Sequence, residues 1–146
     1  MNAWIAVAVG GSLGSVARHG VNKLVHQTWP LLRFPLATVV VNIVGCCVIG
    51  LLAGFVASGR LPMRTVWREF LFVGILGGFT TFSTFGLDTI TLMRGNDSGQ
   101  AVLNVIAQVV GGLAGSTSGS SWSSSSPDTT TIGPFPSRVA DRHARR

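Results

Sequence analysis

Charged residues are scarce in this sequence, and acidic residues are the scarcest. Only 11% of the 146 residues are charged, with 5 acidic against 11 basic side chains, whereas 47% are hydrophobic. Soluble domains carry about 25% charged residues, and the mean hydropathy of this chain is +0.48. The composition therefore argues against a soluble globular protein and favours a bilayer as its solvent.

Tyrosine is absent, and cysteine occurs only as the adjacent pair Cys46 and Cys47. One neighbouring pair lacks the second pair that a cysteine metal site needs, so we interpret both as packing residues. Nineteen glycines fit transmembrane helices that pack closely. The net charge of +6 does not indicate nucleic-acid binding, because the basic residues lie between apolar runs rather than in one patch with aromatic residues.

Four apolar runs predict membrane-spanning helices, at residues 3–17, 34–59, 70–87 and 101–115. The second run has 26 uncharged residues and exceeds the roughly 20 that span a hydrocarbon core. The first run is interrupted at Arg18 and His19 and can continue to Val25, and the third can extend past Asp88 to Met93. The first has no positively charged region before it, so we interpret it as a membrane helix rather than a secretion signal. The fourth, with 15 residues, is short for a span.

The composition changes abruptly at Ser116. Eight of the next eleven residues, counted from Ser116, are serine, and four arginines stand among the last nine positions. Such a segment buries too little apolar surface to fold by itself. The sequence therefore predicts a transmembrane domain at residues 1–115 and a disordered Ser/Arg-rich tail at residues 116–146.

Polar residues inside apolar runs are informative, because a polar group in lipid needs a partner and often serves function. The predicted spans contain Arg18, Asn42, Thr80, Thr81, Ser83, Thr84, and the pair Asn104 and Gln108 at i, i+4 spacing. No Asp, Glu or Lys lies deep in any span. A proton-coupled transporter normally needs a titratable group at mid-membrane, so this absence argues against one.

Three motifs occur in order: GGSLGSVARH at 10–19, FPLATVVVNIVGCCVIG at 34–50 and GGFTTFSTF at 77–85. In this combination the sequence resembles the Fluc-type fluoride channels, the CrcB family, over residues 1 to about 115. The resemblance implies an all-α plasma-membrane protein with four transmembrane helices, the third broken near GGFTT. It also implies an antiparallel, dual-topology homodimer that is not an enzyme and that exports fluoride passively from the cytoplasm.

The resemblance assigns site residues as well. The implied ion pathway contains Asn42, Phe82, Phe85, Ser83, Thr84 and Arg18. The backbone carbonyls of Gly77 and Thr80 from both subunits are expected to hold a structural Na⁺ at the dimer centre. Read from the residues alone, Phe82 and Phe85 share one helix face and can offer electropositive ring edges to an anion, or can simply pack between helices. Asn42 can donate to an anion or bond a neighbouring helix.

The sequence leaves alternatives open for both subunit pairing and function. Basic residues divide three against three between the two sides of the predicted core, which fits dual topology, but the arginines of the tail favour one orientation. A subunit of fixed orientation would pair with a second homologue instead of itself. A small multidrug-resistance-like exporter is a second reading, although its membrane-embedded glutamate is missing from the first run. A non-conducting truncated homologue is a third.

Overall fold

The computed structural model of the protein describes residues 2–124, and all regular structure in this range is helical. Helix α1 runs from Ala3–Thr28 and helix α2 from Leu36–Ala57. A third segment, Thr65–Arg94, follows, and the last helix in the range, α6, spans Ser98–Ser124. The predicted all-α class is confirmed.

The third segment is not one uniform helix. It begins as α3 (Thr65–Arg68), continues as a π-helix (Glu69–Leu76) and returns to a short α4 (Gly77–Phe79). Thr80 and Thr81 then have extended backbone, with ψ of 158° and 112°, before α5 (Phe82–Arg94) begins. The helical hydrogen-bond ladder is therefore interrupted inside the GGFTTFSTF motif.

Within residues 2–124, three helical stretches are long and apolar enough to cross a membrane: Leu36–Ala57, Thr65–Arg94 and Ser98–Ser118. Helix α1 is not among them, although it continues without a break through Arg18 and His19 for 26 residues. Its basic and polar residues lower its hydropathy below that of the other three. The sequence predicted a first run at residues 3–17 that can continue past Arg18 and His19 to Val25; the helix includes both parts and ends three residues later, at Thr28.

Helix α6 extends beyond the predicted end of the fourth run at residue 115. Its helical backbone continues to Ser124, and hydroxyl groups in its last turns bond to carbonyls of their own helix. Ser116 Oγ donates to Gly112 O at 3.0 Å, and Thr117 Oγ1 donates to Leu113 O at 3.1 Å. Residues 116–124 therefore belong to the helix, whereas the rest of the predicted disordered tail lies outside the described residues.

Glycines bring α1 into backbone contact with the third segment. A Cβ atom placed on Gly10 would lie 2.5 Å from Phe70 O and 3.0 Å from Gly74 Cα. Gly78 packs in the same way on the backbone of Gly11. Side chains larger than hydrogen would separate the two helices, so this contact depends on the small-residue pattern of the GGSLGS and GGFTT motifs.

Glycines also allow helix α2 to pack closely along α6. Gly50 lies against the backbone of Ser116, Gly111 against Ile43, and Gly115 against the Cys47 side chain. Cys46 and Cys47 are both free thiols at this helix contact. Packing is therefore the role that the structure gives Cys47, as the sequence predicted.

The bundle of one chain buries few side chains and exposes many large apolar ones. The largest fully buried side chains in the described range are Val41 and Asn104. Residues with mostly exposed side chains include Trp4, Val16, Val73, Phe82, Val110 and Leu113. A surface of this kind fits lipid or a second subunit rather than water.

The contact of α1 with the third segment can be tested at two adjacent glycines. Gly10→Ala should destabilise the protein by about 1–3 kcal/mol, because the methyl group meets backbone atoms that cannot rotate away. Gly11→Ala is the matched control, since a Cβ there meets no atom within 4 Å. Alanine also raises helix propensity at both sites by up to about 1 kcal/mol, so Gly11→Ala should be neutral or stabilising. Thermal unfolding in detergent measures both, and equal melting temperatures would contradict the packing argument.

Candidate functional site

Asn42 of α2 replaces the helical partners of Thr81 at the break. The Thr81 N–H donates to Asn42 Oδ1 at 2.8 Å, and Asn42 Nδ2 donates to Thr81 O at 3.0 Å. In a continuous helix the same N–H would bond to the Gly77 carbonyl, four residues earlier. A bilayer offers no water to satisfy broken backbone groups, so the side-chain amide of Asn42 makes the extended conformation tolerable.

Thr81 also begins the helix that follows. Its Oγ1 accepts from Thr84 N at 3.3 Å and lies 2.9 Å from Thr84 Oγ1 and 3.3 Å from Ser83 Oγ. This is an N-cap, in which a hydroxyl takes the place of the missing carbonyl acceptor. The Thr84 amide would bond to the Thr80 carbonyl in a continuous helix, so the cap frees that carbonyl as well.

Polar residues of α1 approach the freed carbonyls. Arg18 Nη1 donates to Thr80 O at 3.5 Å, and Ser15 Oγ donates to Gly78 O at 3.4 Å. Both distances are long for hydrogen bonds, so these carbonyls are held less tightly than the Thr81 groups. The positive charge of Arg18 therefore lies next to the break, behind the residues that face the cavity described below.

A ladder of side-chain hydrogen bonds continues from Asn42 through α6 and back to α5. We call it the polar ladder, and it consists of Asn42, Gln108, Asn104 and Thr89. Asn42 Nδ2 donates to Gln108 Oε1, and Gln108 Nε2 donates to Asn104 Oδ1 at 2.8 Å. Asn104 Nδ2 donates to Thr89 Oγ1 at 2.9 Å, which in turn donates to Phe85 O at 2.8 Å. The i, i+4 pair on α6 thus satisfies its buried amides within the bundle.

A cavity of about 330 Å³ lies beside the break, and polar groups line one part of an otherwise apolar wall. Its lining includes Asn42, Cys46, Phe72, Leu76, Gly77, Thr80, Thr81, Phe82, Phe85 and Gln108. The rings of Phe82 and Phe85 have centroids 5.4 Å apart and are tilted by 55°. Phe82 is 82% exposed, so the cavity is a groove on the surface of one chain rather than a closed chamber.

A second cavity, of about 240 Å³, is lined by residues of α1, α2, α5 and the loop between α1 and α2. Its lining includes Asn22, His26, Arg33, Thr38, Thr84 and Asp88. Thr38 Oγ1 donates to Asp88 Oδ2 at 2.7 Å, which ties α2 to α5. Thr84 is the link between the two cavities, because it lines the second and bonds to Thr81, which lines the first.

The structure brings most of the residues implied by the sequence to one place. Asn42, Phe82, Phe85, Gly77 and Thr80 all line the first cavity. Thr84 lines the second cavity instead, and the side-chain contact seen for Ser83 is with Thr81.

The sequence did not foresee two pairings at the site. The bond between Thr38 and Asp88 was missed; its one signal was that Asp88 interrupts an uncharged run. The bond between Asn42 and Gln108 was missed because no local pattern connects residues 66 positions apart.

Comparison with known proteins identifies similar chains. A protein-family model described as "CrcB-like protein, Camphor Resistance (CrcB)" matches residues 5–120. A protein of Opitutus terrae named "Fluoride-specific ion channel FluC" is 43% identical over 111 residues, which cover 75% of this chain and 83% of that protein. Proteins of the same name from Methylobacillus flagellatus and Paracoccus denitrificans are 47% and 46% identical over 107 and 112 residues. The aligned residues cover 83% and 86% of those two proteins, and 73% and 76% of this chain.

The N-cap at the break can be tested at Thr81. Thr81→Val keeps the shape of the side chain but removes the hydroxyl acceptor of the Thr84 amide, and should destabilise the protein by about 0.5–2 kcal/mol. Thr81→Ser keeps the hydroxyl and should retain most of the stability. Thr91→Val is a control, because Thr91 Oγ1 bonds only its own helix at an exposed position. Similar melting temperatures in detergent for the two valine variants would show that the cap is unimportant.

Proposed function

The chain belongs to the CrcB family, and we propose that it is the subunit of a fluoride-specific ion channel. It is a multi-pass protein of the plasma membrane, and its proposed activity is passive export of fluoride from the cytoplasm. The observation that carries the proposal is the first cavity, where an aromatic pair faces a cluster of hydrogen-bond donors beside a helix break. An ion channel passes its ion unchanged, so no residue is assigned a catalytic role.

Fluoride is small and strongly hydrated, so a pathway must replace its water with other donors. The Asn42 amide and the hydroxyls of Thr81 and Thr84 lie at the cavity or directly behind it. The rings of Phe82 and Phe85 carry positive edges, which attract an anion weakly. Weak binding without a fixed cation in the lining favours conduction over trapping.

Passive transport fits the charges of the bundle. Asp88 bonds to Thr38 in the second cavity, and the first cavity is lined by uncharged residues. A coupled exporter needs a titratable group that alternates between its substrate and protons, as the small multidrug-resistance-like alternative would. Fluoride enters cells as HF from acidic surroundings and is trapped inside as the anion. A passive path driven by the negative interior is therefore sufficient to lower it.

We also propose that two subunits assemble antiparallel. The groove of one chain exposes Phe82 and is lined by Thr80, whose backbone is extended, and backbone of this kind does not face lipid. A second subunit over the groove would shield both and would close the cavity. In such an assembly α1 serves as the fourth spanning helix, with its glycine face held on the third segment. A fixed-orientation subunit would make the same contact with a second homologue.

The break also offers oxygen ligands that fit a structural Na⁺ at the dimer interface. The Thr81 N–H donates to Asn42 instead of to the Gly77 carbonyl. The Thr84 N–H donates to the Thr81 hydroxyl instead of to the Thr80 carbonyl. Carbonyl oxygens released in this way suit a hard cation, and the ion would hold the broken segments of two subunits together. Arg18 approaches the same Thr80 oxygen at 3.5 Å, so it competes with a cation there and would turn away when sodium binds.

Fluoride selectivity is the direct test of the proposed function. Purified protein in liposomes loaded with fluoride or chloride, with valinomycin to balance charge, should release fluoride rapidly and retain chloride. The release should not depend on a proton gradient, because no carboxylate, histidine or lysine lines the first cavity. A fluoride electrode and a chloride electrode measure the two fluxes. Equal fluxes, or release only with a proton gradient, would overturn the proposal.

The aromatic pair can be tested separately from assembly. Phe82→Ile or Phe85→Ile should abolish fluoride flux or reduce it strongly, because isoleucine keeps the bulk but lacks the electropositive ring edge. Phe70→Ile removes the other aromatic pair of the third segment, Trp67 with Phe70, and should leave the flux intact. Size-exclusion chromatography shows whether each variant assembles. Normal flux in both pathway variants would make the rings packing residues.

A further inference from the structure

The polar ladder has only one allowed direction, because it lies between two backbone groups. The Thr81 N–H can only donate to it, and the Phe85 carbonyl can only accept from it. Asn42 must therefore turn its oxygen to the Thr81 N–H, which leaves Nδ2 to donate to Thr81 O and to Gln108. Gln108 and Asn104 then each accept on the Asn42 side and donate on the Thr89 side. This fixes the orientation of the Asn42, Gln108 and Asn104 side chains, which could otherwise be reversed.

With the polar ladder in this direction, both Nδ2 hydrogens of Asn42 are engaged in hydrogen bonds. One is donated to Thr81 O and the other to Gln108 Oε1. An amide NH₂ has two hydrogens, so Asn42 has none left for an ion in the cavity. The bond to Thr81 stabilises the break itself, whereas the bond to Gln108 joins two side chains. Gln108 Oε1 is therefore the partner that an entering anion can displace at lower cost.

We infer that Gln108 is a specificity-determining residue that competes with the permeating anion for Asn42. Its Oε1 is a tethered acceptor at the cavity wall, and the anion gains the Asn42 donor only by displacing it. Gln108 stays attached to Asn104 through Nε2, so the oxygen can return when the ion leaves. The inference rests on the proposed fluoride conduction and adds a condition to it: the anion must be a stronger hydrogen-bond acceptor than the Gln108 amide oxygen. Fluoride, a strong acceptor, can displace an amide oxygen, whereas a weaker acceptor such as chloride cannot.

The test is the fluoride concentration at which flux is half-maximal in proteoliposomes. Gln108→Met keeps the length of the side chain but removes the competing oxygen, and should lower this concentration about fivefold. That change corresponds to one net hydrogen bond of about 1 kcal/mol. Gln108→Ser, a second variant with a shorter side chain, should shift it in the same direction if the methionine variant assembles poorly. The fluoride-dependent rise in melting temperature gives a second measure of binding.

Two controls separate this role from a structural one. Asn104→Leu removes the anchor of Gln108 Nε2 but keeps the competing oxygen, so it should lower the half-maximal concentration less than Gln108→Met does. Cys47→Ala weakens the contact of α2 with α6 at Gly115 without changing a residue that lines the cavity, and should leave the value unchanged. A fall in either control as large as that in Gln108→Met would mean that disrupted packing, rather than competition, sets the value.

The outcomes distinguish the inference from the proposed function. No fluoride flux through the wild-type channel would overturn the proposed function itself. Wild-type flux with an unchanged or raised half-maximal concentration in assembled Gln108→Met and Gln108→Ser would overturn the inference alone. Increased chloride flux in the two Gln108 variants, absent from both controls, would support the assignment of Gln108 to specificity.

Discussion

The pairing of the Asn42 amide with the backbone of Thr81 is the interaction on which the rest of the site depends. A helix that opens inside a membrane leaves donors and acceptors that water cannot reach, and each one left unpaired costs about 1–3 kcal/mol. Asn42 satisfies one donor and one acceptor of Thr81 at once. The released carbonyls, the N-cap of α5 and the cavity beside it all follow from the extended backbone that this pairing allows.

Glycines determine where the break lies within the bundle. Gly10 and Gly74 bring α1 and the π-helix into backbone contact, and Gly78 extends the contact to the residues just before Thr80. This close approach also brings Ser15 and Arg18 within reach of the freed carbonyls. The glycines thus fix the distance between α1 and the third segment. This short distance allows the polar side chains of α1 to reach the carbonyls of the break.

The sequence predicted which segments form helices better than it predicted where the helices end and which side chains contact each other. Leu36–Ala57 falls within the predicted run 34–59, because an uncharged stretch of that length has one stable conformation in a bilayer. The continuation of α6 past residue 115 was missed, because serine is a poor helix former by propensity, yet its hydroxyl can bond to its own helix. The Asn42 and Gln108 pairing required the packing of α2 on α6, which hydropathy does not specify.

Selectivity in the proposed pathway then depends on which hydrogen bonds an ion must replace. The Asn42 donors at the cavity are engaged with protein acceptors, namely Thr81 O and Gln108 Oε1. Breaking such a bond costs the same whichever anion enters, so only an anion that accepts more strongly than an amide oxygen gains from the exchange. The same bond, because it re-forms within the protein, helps to release the ion. A site built from occupied donors can therefore discriminate between anions without holding fluoride too tightly for conduction.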